Sequence, residues 1–233
     1  MDRVKSGVPG LDEIMNGGIP RNQLVLLTGT SGTGKTIFSA QYIFSGVTKF
    51  KENGVYLSFE EPVESIKENA KTFGWDFDKI EKEGKFAFIK YDPYRIEDVF
   101  DILESNIRDI KAKRVVIDSI SALGLHIRDK AELRNMIFNL ALSLRKLNST
   151  VILVSEIVPG TRGLSRYGVE EFVADSVIVL YYERISSVFS RAIQVWKLRG
   201  SMHSEKLHPY KIDTNGITIN PHEDAYIKES YNK

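Results

Sequence analysis

A glycine-rich run early in the chain carries the residue types that bind a triphosphate. It fits the phosphate-binding loop (P-loop) pattern G-x-x-x-x-G-K-[ST] and consists of Gly29, Thr30, Ser31, Gly32, Thr33, Gly34, Lys35 and Thr36. Its glycines allow a tight turn in which successive backbone N–H groups point into one concavity. Lys35 supplies a positive charge for the β- and γ-phosphates, and Thr36 supplies a hydroxyl for Mg²⁺. The run therefore predicts a site for a nucleotide with Mg²⁺.

The residues around this run predict the strand and the helix that would position it. The apolar run 24–27 is typical of a buried parallel strand. Residues 37–47 predict a helix with Phe38, Tyr42 and Ile43 on one face. A glycine-rich turn that binds nothing is the competing interpretation. The flanking strand and helix weigh against it, because they are the context that a P-loop needs.

An aspartate after another apolar strand is the second sign of nucleotide chemistry. Residues 115–117 predict a short buried strand, and Asp118 follows it directly. A carboxylate at this place, the Walker B position, holds Mg²⁺ through water against the phosphates. The competing interpretation is an aspartate that only caps the next helix. Together with the P-loop, the metal role is favoured for Asp118, with Thr36 as the second metal residue.

The catalytic carboxylate is expected on a different strand, because the residue after the Walker B aspartate is Ser119. Glu60 and Glu61 follow the predicted strand 55–59, whose C-terminal end faces the same crevice as the P-loop in a parallel sheet. We predict that Glu60 orients and deprotonates the attacking water, with Glu61 as a supporting or inter-subunit residue. Both acids could instead only begin the helix at Pro62, where negative charge favours the helix dipole.

The composition fits one α/β domain of nearly balanced charge. The chain has 233 residues, enough for a large core, and we expect one domain over 1–233. A net charge of +1 gives no support for a nucleic-acid or anionic membrane partner. The absence of cysteine excludes disulfides and thiolate metal sites. No apolar stretch is long enough to span a bilayer and the first residues carry no signal region, so we expect a cytoplasmic protein.

Strands and helices alternate along the rest of the chain, which predicts a parallel sheet flanked by helices. Apolar stripes predict helices that begin near Pro62, Ile96 and Leu133. Further strands are predicted at residues 86–90, 151–154, 177–182, 192–198, 210–213 and 217–219. We expect the last four to form antiparallel strands after a parallel core, and residues 221–233 to form a flexible polar tail.

Other nucleotide-using classes carry motifs that are absent from this sequence. The chain lacks the Asn-Lys-x-Asp motif of GTPases and the Leu-Ser-Gly-Gly motif of transporter ATPases. It also lacks the His-Arg-Asp motif of the protein-kinase catalytic loop. The first absence weighs against a GTPase, and the three absences together leave the P-loop and Asp118 as the main functional signals.

The order of the motifs resembles the KaiC-like ATPases of the RecA superfamily. The matching stretches run through nearly the whole chain, at residues 6–12, 17–20, 29–36, 59–61, 73–76, 116–119, 167–172 and 197–200. The chain looks like a single such domain of the archaeal type. The resemblance implies a RecA-like P-loop NTPase core with a mostly parallel central sheet, and an ATPase (a hydrolase) that uses ATP and Mg²⁺. It also implies a ring, typically a homohexamer, with ATP between subunits.

The resemblance further implies that each site is completed by the neighbouring chain. The run 197–200 is similar to the family's K-L-R-G segment, whose lysine and arginine reach the γ-phosphate bound by the next subunit. Carried over to this sequence, Lys197 and Arg199 are catalytic residues that act in trans. Without the resemblance, both residues fit solvent-facing positions of any half-buried strand, because they alternate with apolar neighbours.

Two alternatives to an ATPase remain open, and one family activity is not expected. The first alternative is a regulatory or scaffold ring that binds ATP with little turnover, in contact with an unknown protein partner. The second is a DNA-dependent recombinase-type ATPase, for which Arg162, Arg166 and Tyr167 could contact a single strand. Autokinase activity is not expected, because residues 170–172 are Glu-Glu-Phe, whereas the clock kinase of the family carries serine and threonine phosphorylation sites near its matching stretch.

Overall fold

A computed structural model of the protein describes residues 2–90, 98–125, 127, 129–161, 163–185 and 188–226. The helices are α1 Leu11–Ile14, α2 Lys35–Phe50, α3 Val63–Lys71, α4 Phe77–Lys82, α5 Val99–Asp109, α6 Lys130–Lys146 and α7 Glu170–Val173, with a 3-10 helix at Ile120–Leu125. The strands are β1 Arg3–Val4, β2 Ile19–Pro20, β3 Leu24–Gly29, β4 Gly54–Ser58, β5 Phe86–Lys90, β6 Arg114–Asp118, β7 Thr150–Glu156, β8 Ser176–Ile185, β9 Val188–Leu198, β10 His208–Asp213 and β11 Gly216–Ile219.

Nine strands of the described chain form one sheet in the order β11-β10-β9-β8-β3-β7-β6-β4-β5. The strands from β8 to β5 in this order are parallel to their neighbours. β9, β10 and β11 are antiparallel additions at one side. Because β3, β7, β6 and β4 are adjacent and parallel, their C-terminal ends lie along one edge of the sheet. This C-terminal edge is where open α/β sheets bind their ligands.

Helices cover both faces of the sheet, which explains why its central strands are apolar throughout. On one face, α2 packs Phe38, Tyr42 and Ile43 against the sheet. On the other face, α5 and α6 contribute side chains that include Leu103 and Ile137. Within the described ranges, no helix combines the length and the hydropathy needed to cross a membrane. The fold class predicted from the sequence is confirmed, and the buried strands hold the C-terminal edge in a fixed arrangement.

Three details differ from the sequence-based expectations. The predicted strand 177–182 belongs to β8, which extends the parallel core by pairing with β3 and is antiparallel only to β9. The helix predicted from Pro62 is α3, with Pro62 as its N-cap. A separate helix, α4, follows it because Asp76 caps a new N-terminus by accepting a hydrogen bond from the backbone N of Lys79 at 3.0 Å. The predicted helix start at Ile96 lies outside the described residues.

A fully buried arginine connects the N-terminal end of β6 with α2. The Arg114 Nε donates to Oε2 of Glu52 at 2.8 Å. The two other guanidinium nitrogens donate to the carbonyls of Lys5, Ser6 and Tyr42. A buried cation is costly unless an anion and hydrogen bonds compensate it. Glu52 and the three carbonyls supply this compensation, so Arg114 joins three separate segments of the chain.

The segment after β11 contacts the sheet as far as it is described. The backbone N of Ala225 donates to the carbonyl of Leu207 at 2.8 Å. The Lys206 ammonium pairs with the Asp224 carboxylate at 3.1 Å. Residues 227–233, the remainder of the predicted tail, lie outside the described residues. These contacts place the chain from 221 to 226 beside β10.

Candidate active site

The predicted P-loop connects the C-terminal end of β3 to the first turn of α2. β3 ends at Gly29 and α2 begins at Lys35. Gly32 and Gly34 have φ angles of +81° and +88°, which residues with side chains rarely adopt. A Cβ atom on Gly34 would also lie 2.7 Å from Cδ1 of Ile212. The loop can therefore direct backbone N–H groups towards an anion at the N-terminus of α2.

The Lys35 ammonium lies within the P-loop and is held by its backbone. It donates to the carbonyl oxygens of Gly29 and Thr30, both at 2.9 Å. Burial lowers the pKa of Lys35, while nearby carboxylates, led by Glu156, raise it. Because an ammonium is attracted more strongly to a negatively charged oxygen than to a neutral carbonyl oxygen, phosphate oxygens would be better partners for Lys35 than the two carbonyls.

The Asp118 carboxylate lies directly against the first turn of α2. Its Oδ2 accepts hydrogen bonds from Thr36 Oγ1 at 3.0 Å and from the Tyr56 hydroxyl at 2.6 Å. β4 is the neighbour of β6, and Ser58 pairs with Asp118 in this register. Burial raises the pKa of Asp118, whereas the hydrogen bonds from Tyr56 and Thr36 lower it. The structure thus brings together Thr36 and Asp118, the two predicted metal residues.

The two predicted catalytic carboxylates point to different partners. Ser119 Oγ donates to Oε1 of Glu60 at 3.1 Å, which holds Glu60 beside the Walker B strand. Oε1 of Glu61 instead accepts a hydrogen bond from Asn69 Nδ2 at 3.2 Å. Burial raises the pKa of Glu60, with smaller contributions from other carboxylates, while the Ser119 hydrogen bond lowers it. Burial also raises the pKa of Glu61. Glu60 is therefore the better placed of the two to act beside Asp118.

The donors in this cluster fit a nucleotide that carries a hard divalent cation. Thr36 and Asp118 offer hydroxyl and carboxylate oxygens, which are the ligands that Mg²⁺ takes. Lys35 and the loop N–H groups offer the charge and donors that phosphates need. Neither here nor elsewhere in the described part of the chain do three or more His, Asp or Glu side chains form a metal cluster, so the expected cation would rely on Thr36, Asp118 and the nucleotide. The C-terminal edge is thus the place where a metal–nucleotide complex fits.

Arg199 lies at the opposite end of β3 from the P-loop, and Lys197 lies two residues before it in β9. Lys197 pairs with Val177 in β8, and the backbone N of Arg199 donates to the carbonyl of Asp175 at 3.0 Å. The Asp175 carboxylate in turn accepts from the backbone N of Leu24, the first residue of β3. β3 contains six residues and spans about 20 Å. Arg199 is therefore out of reach of the P-loop of its own chain, and the Lys197 ammonium is bound to the carbonyls of Glu171 and Ala174 instead.

The two basic side chains differ in how firmly they are held. The Lys197 ammonium donates to the carbonyls of Glu171 and Ala174 at 2.9 and 2.6 Å, beside α7. Burial lowers the pKa of Lys197. The Arg199 guanidinium makes a longer bond of 3.3 Å to the carbonyl of Phe172, and its side chain is 53 % exposed. Arg199 is thus freer than Lys197 to contact a second chain.

Known proteins are similar to this chain in both sequence and fold. A family model for the KaiC ATPase matches residues 4–224. This chain belongs to the KaiC ATPase family. A UPF0273 protein of Methanocaldococcus jannaschii is 40% identical over 95% of this chain and 97% of that protein. The circadian clock protein KaiC3 of Synechocystis is 36% identical over 95% of this chain but only 46% of that protein. The crystal structure of a KaiC-like protein from Pyrococcus horikoshii OT3 is 40% identical, with a TM-score of 0.87 over 94% of this chain and 99% of that chain.

Glu156 adds a fourth carboxylate to this KaiC-family site, beside Glu60, Glu61 and Asp118, and the sequence motifs did not single it out. It is the last residue of β7 and pairs with Gly29 at the end of β3. Its carboxylate forms an ion pair with Arg166 at 3.4 Å, and its backbone N donates to Ser121 Oγ at 3.1 Å. Its position after an apolar strand is the same signal that identified Asp118, so the pattern could have located it.

The β8–β9 hairpin of the KaiC-family fold places two more side chains beside the P-loop. The Arg191 guanidinium carbon lies 4.0 Å from the centre of the Tyr182 ring. Arg191 Nη2 also donates to the carbonyl of Gly32 at 3.4 Å. Within the described residues, its Nε is buried without a hydrogen-bond partner. A Cβ atom on Gly32 would lie 3.5 Å from the Tyr182 ring. Arg191 therefore brings a cation to the rim of the loop.

An aromatic-lined cavity of about 330 Å³ opens beside the first turns of α2. Ile37 and Ala40 form one side of it, and Phe73 and Trp75 form another. The rings of Phe73 and Trp75 are stacked with their centres 4.8 Å apart. Glu61 also lines this cavity, so the cavity adjoins the carboxylates at the C-terminal edge of the sheet. Its apolar walls and few polar groups suit the flat base of a nucleotide.

Proposed function

We propose that this KaiC-family protein binds ATP with Mg²⁺ and hydrolyses it in a homo-oligomeric ring, with six chains as the family resemblance implies. The observation that carries the proposal is the meeting of three chain segments at the C-terminal edge. Thr36 of the P-loop helix lies 3.0 Å from Asp118, and Ser119 lies 3.1 Å from Glu60. These contacts support the proposal because the residues assigned as phosphate cradle, metal-binding carboxylate and base lie side by side, as phosphoryl transfer to water requires.

In this proposal the P-loop binds the triphosphate and the cavity beside α2 takes the base. The Lys35 ammonium exchanges its two carbonyl partners for oxygens of the β- and γ-phosphates. Thr36 and Asp118 hold Mg²⁺, which when bound screens the negative charge of the phosphates. These contacts orient the γ-phosphate towards Glu60 and Glu61, which line the side of the site nearest to β4.

Glu60 orients the attacking water and takes its proton as the water oxygen bonds to the γ-phosphorus. The bond from that phosphorus to the bridging oxygen breaks, and ADP and phosphate leave. Burial supports this role because it raises the pKa of Glu60 and makes the carboxylate a stronger base than an exposed glutamate. Ser119 keeps the carboxylate in place through its hydrogen bond.

A second chain completes the site in this proposal. Arg199 is half exposed, and it lies at the opposite end of β3 from the P-loop of its own chain. When the same end of a neighbouring chain meets the P-loop, Arg199 can neutralise charge on the leaving γ-phosphoryl group. Arginines supplied in this way raise hydrolysis rates by roughly 10³–10⁵. Lys197 stabilises the surface around Arg199 because its ammonium donates hydrogen bonds to the carbonyls of Glu171 and Ala174 at the end of α7.

The test combines ATP turnover with mass in solution, each measured with and without Mg²⁺. We then mix Lys35→Ala chains with Arg199→Ala chains after dissociation and reassembly. Each variant alone should be inactive, whereas an equal mixture should recover about a quarter of wild-type turnover, because a quarter of neighbouring pairs then join an intact P-loop to an intact Arg199. A mixture of Lys35→Ala with Lys35→Ala,Arg199→Ala chains is the control and should stay inactive.

Other results would favour the alternatives. ATP binding without turnover in any wild-type assembly would favour a regulatory ring. Stimulation of turnover by single-stranded DNA, with steep salt dependence, would favour a recombinase-type ATPase. The structure gives little support for the second, because Arg166 is paired with Glu156 and the Tyr167 hydroxyl donates to the carbonyl of Ser121 at 2.6 Å. Arg162 lies outside the described residues.

A further inference from the structure

The side chain of Tyr56 is a buried aromatic ring that ends in a hydroxyl. Tyr56 is fully buried in β4 between Val55 and Leu57, which are also buried. Its ring packs against Phe88 with the ring centres 5.3 Å apart. A phenylalanine would fill this place equally well, and a buried hydroxyl without a partner lowers stability. The hydroxyl therefore calls for a specific explanation, and its hydrogen bond to Asp118 at 2.6 Å supplies one.

The strand register explains how this contact arises. Ser58 pairs with Asp118 across β4 and β6, and Tyr56 lies two residues before Ser58. Residues two apart on a strand project from the same face, so Tyr56 is the diagonal neighbour of Asp118. Diagonal neighbours are within reach of long aromatic side chains. Tyr56 thus approaches the carboxylate from the core, while Thr36 approaches it from the P-loop helix.

Both hydroxyls donate to the same oxygen of the carboxylate. Oδ2 of Asp118 accepts from Thr36 at 3.0 Å and from Tyr56 at 2.6 Å. Oδ1 receives no side-chain hydrogen bond from the part of the chain that the structure describes. Two donors from different elements fix the rotation of the carboxyl group, and they leave its other oxygen for the water shell of a cation. Partners of this kind, one step removed from a metal, commonly set its affinity.

We propose that Tyr56 is a positioning residue that orients the Asp118 carboxylate and thereby sets how tightly the site holds its divalent cation. This inference rests on the proposed function, because it takes Asp118 as the carboxylate of a metal–nucleotide site. Tyr56 does not line the cavity beside α2. Loss of its hydroxyl should therefore weaken cation binding and leave nucleotide binding without cation unchanged.

The experiment uses the chain's own fluorescence. The sequence has two tryptophans, Trp75 in the cavity wall and Trp196, which is 52 % exposed on β9. A Trp196→Phe background therefore reports only on the cavity. ADP is titrated first in EDTA, and Mn²⁺ is then titrated into the ADP-saturated protein. Electron paramagnetic resonance of free Mn²⁺ counts bound ions independently of fluorescence and of catalysis.

In this background, Tyr56→Phe is compared with Tyr42→Phe. The Tyr42 hydroxyl is also buried but donates to the carbonyl of Thr150 at 3.3 Å, so its loss is a matched control. Tyr56→Phe should raise the Mn²⁺ dissociation constant about tenfold. It should leave the ADP affinity in EDTA within about twofold, because that measurement contains no metal. Tyr42→Phe should change neither constant.

Three other results would contradict either the positioning role of Tyr56 or the proposed function. An unchanged Mn²⁺ affinity in Tyr56→Phe would overturn the positioning role and leave the proposed function intact. An equal loss of ADP affinity in EDTA and of Mn²⁺ affinity would also overturn it, because the hydroxyl would then act only on general packing. A parent protein that binds neither ADP nor Mn²⁺ with ADP would overturn the proposed function itself.

Discussion

Replacement of Glu60 by Gln should remove most of the hydrolysis and leave ATP binding intact. The Gln side-chain oxygen can still accept the hydrogen bond that Ser119 Oγ donates at 3.1 Å, so the side chain should keep its position. It loses only the capacity to take a proton from water. A general base contributes a factor of roughly 10²–10⁴. This factor corresponds to about 3–5 kcal/mol of activation free energy.

Glu61→Gln is the matched variant, because it makes the same chemical change one residue away. The Glu61 carboxylate accepts from Asn69 rather than from the strand that carries Asp118. Its loss should reduce the rate by less than about tenfold. Single-turnover hydrolysis with excess protein measures the chemical step, and ADP titration measures binding. Normal hydrolysis by Glu60→Gln, or a larger loss in Glu61→Gln, would refute the assignment of the base.

Two further predictions concern pH and stability. The hydrolysis rate should fall as pH drops through the raised pKa of Glu60, since only the ionised carboxylate accepts a proton. This fall should begin at a higher pH than it would for an exposed glutamate. The residual rate of Glu60→Gln should not show it. Glu52→Gln should lower the free energy of unfolding by about 3 kcal/mol, because it leaves the buried Arg114 without its anion. Urea unfolding measures this loss, and Glu83→Gln, which breaks the exposed pair with Lys85, should show no measurable change.

The sequence was sufficient to predict the family and the fold class because both depend on local patterns. A P-loop is a run of consecutive residues between a strand and a helix, and Asp118 follows an uninterrupted apolar strand. The alternation of strands and helices is also local, and it predicts a parallel sheet without knowledge of the strand order. The P-loop and the Asp118 motif can be recognised in a single sequence because each is complete within about ten residues.

The remaining features depend on which strands become neighbours. Arg191 reaches the rim of the P-loop only because β8 pairs with β3, and nothing within residues 176–198 indicates that pairing. Tyr56 looks like an ordinary core aromatic until β4 and β6 are aligned. The separation of Arg199 from the P-loop likewise follows from the register of β8 and β9. Contacts between segments that are distant along the chain therefore could not be predicted from the sequence alone.

The two halves of the proposed site, the P-loop and Arg199, lie at opposite ends of β3. In a two-fold dimer, the same surface patch of each chain forms the interface. Because the two halves of the site are about 20 Å apart on each chain, they can meet only if different surfaces of neighbouring chains are in contact, head to tail. In such a row, each added chain finishes one site and exposes another unfinished one. Only closure of the row into a ring gives every chain a complete site. Turnover per chain would then report the closure of the assembly, and a few open rows would lower it without any change in the residues that bind ATP.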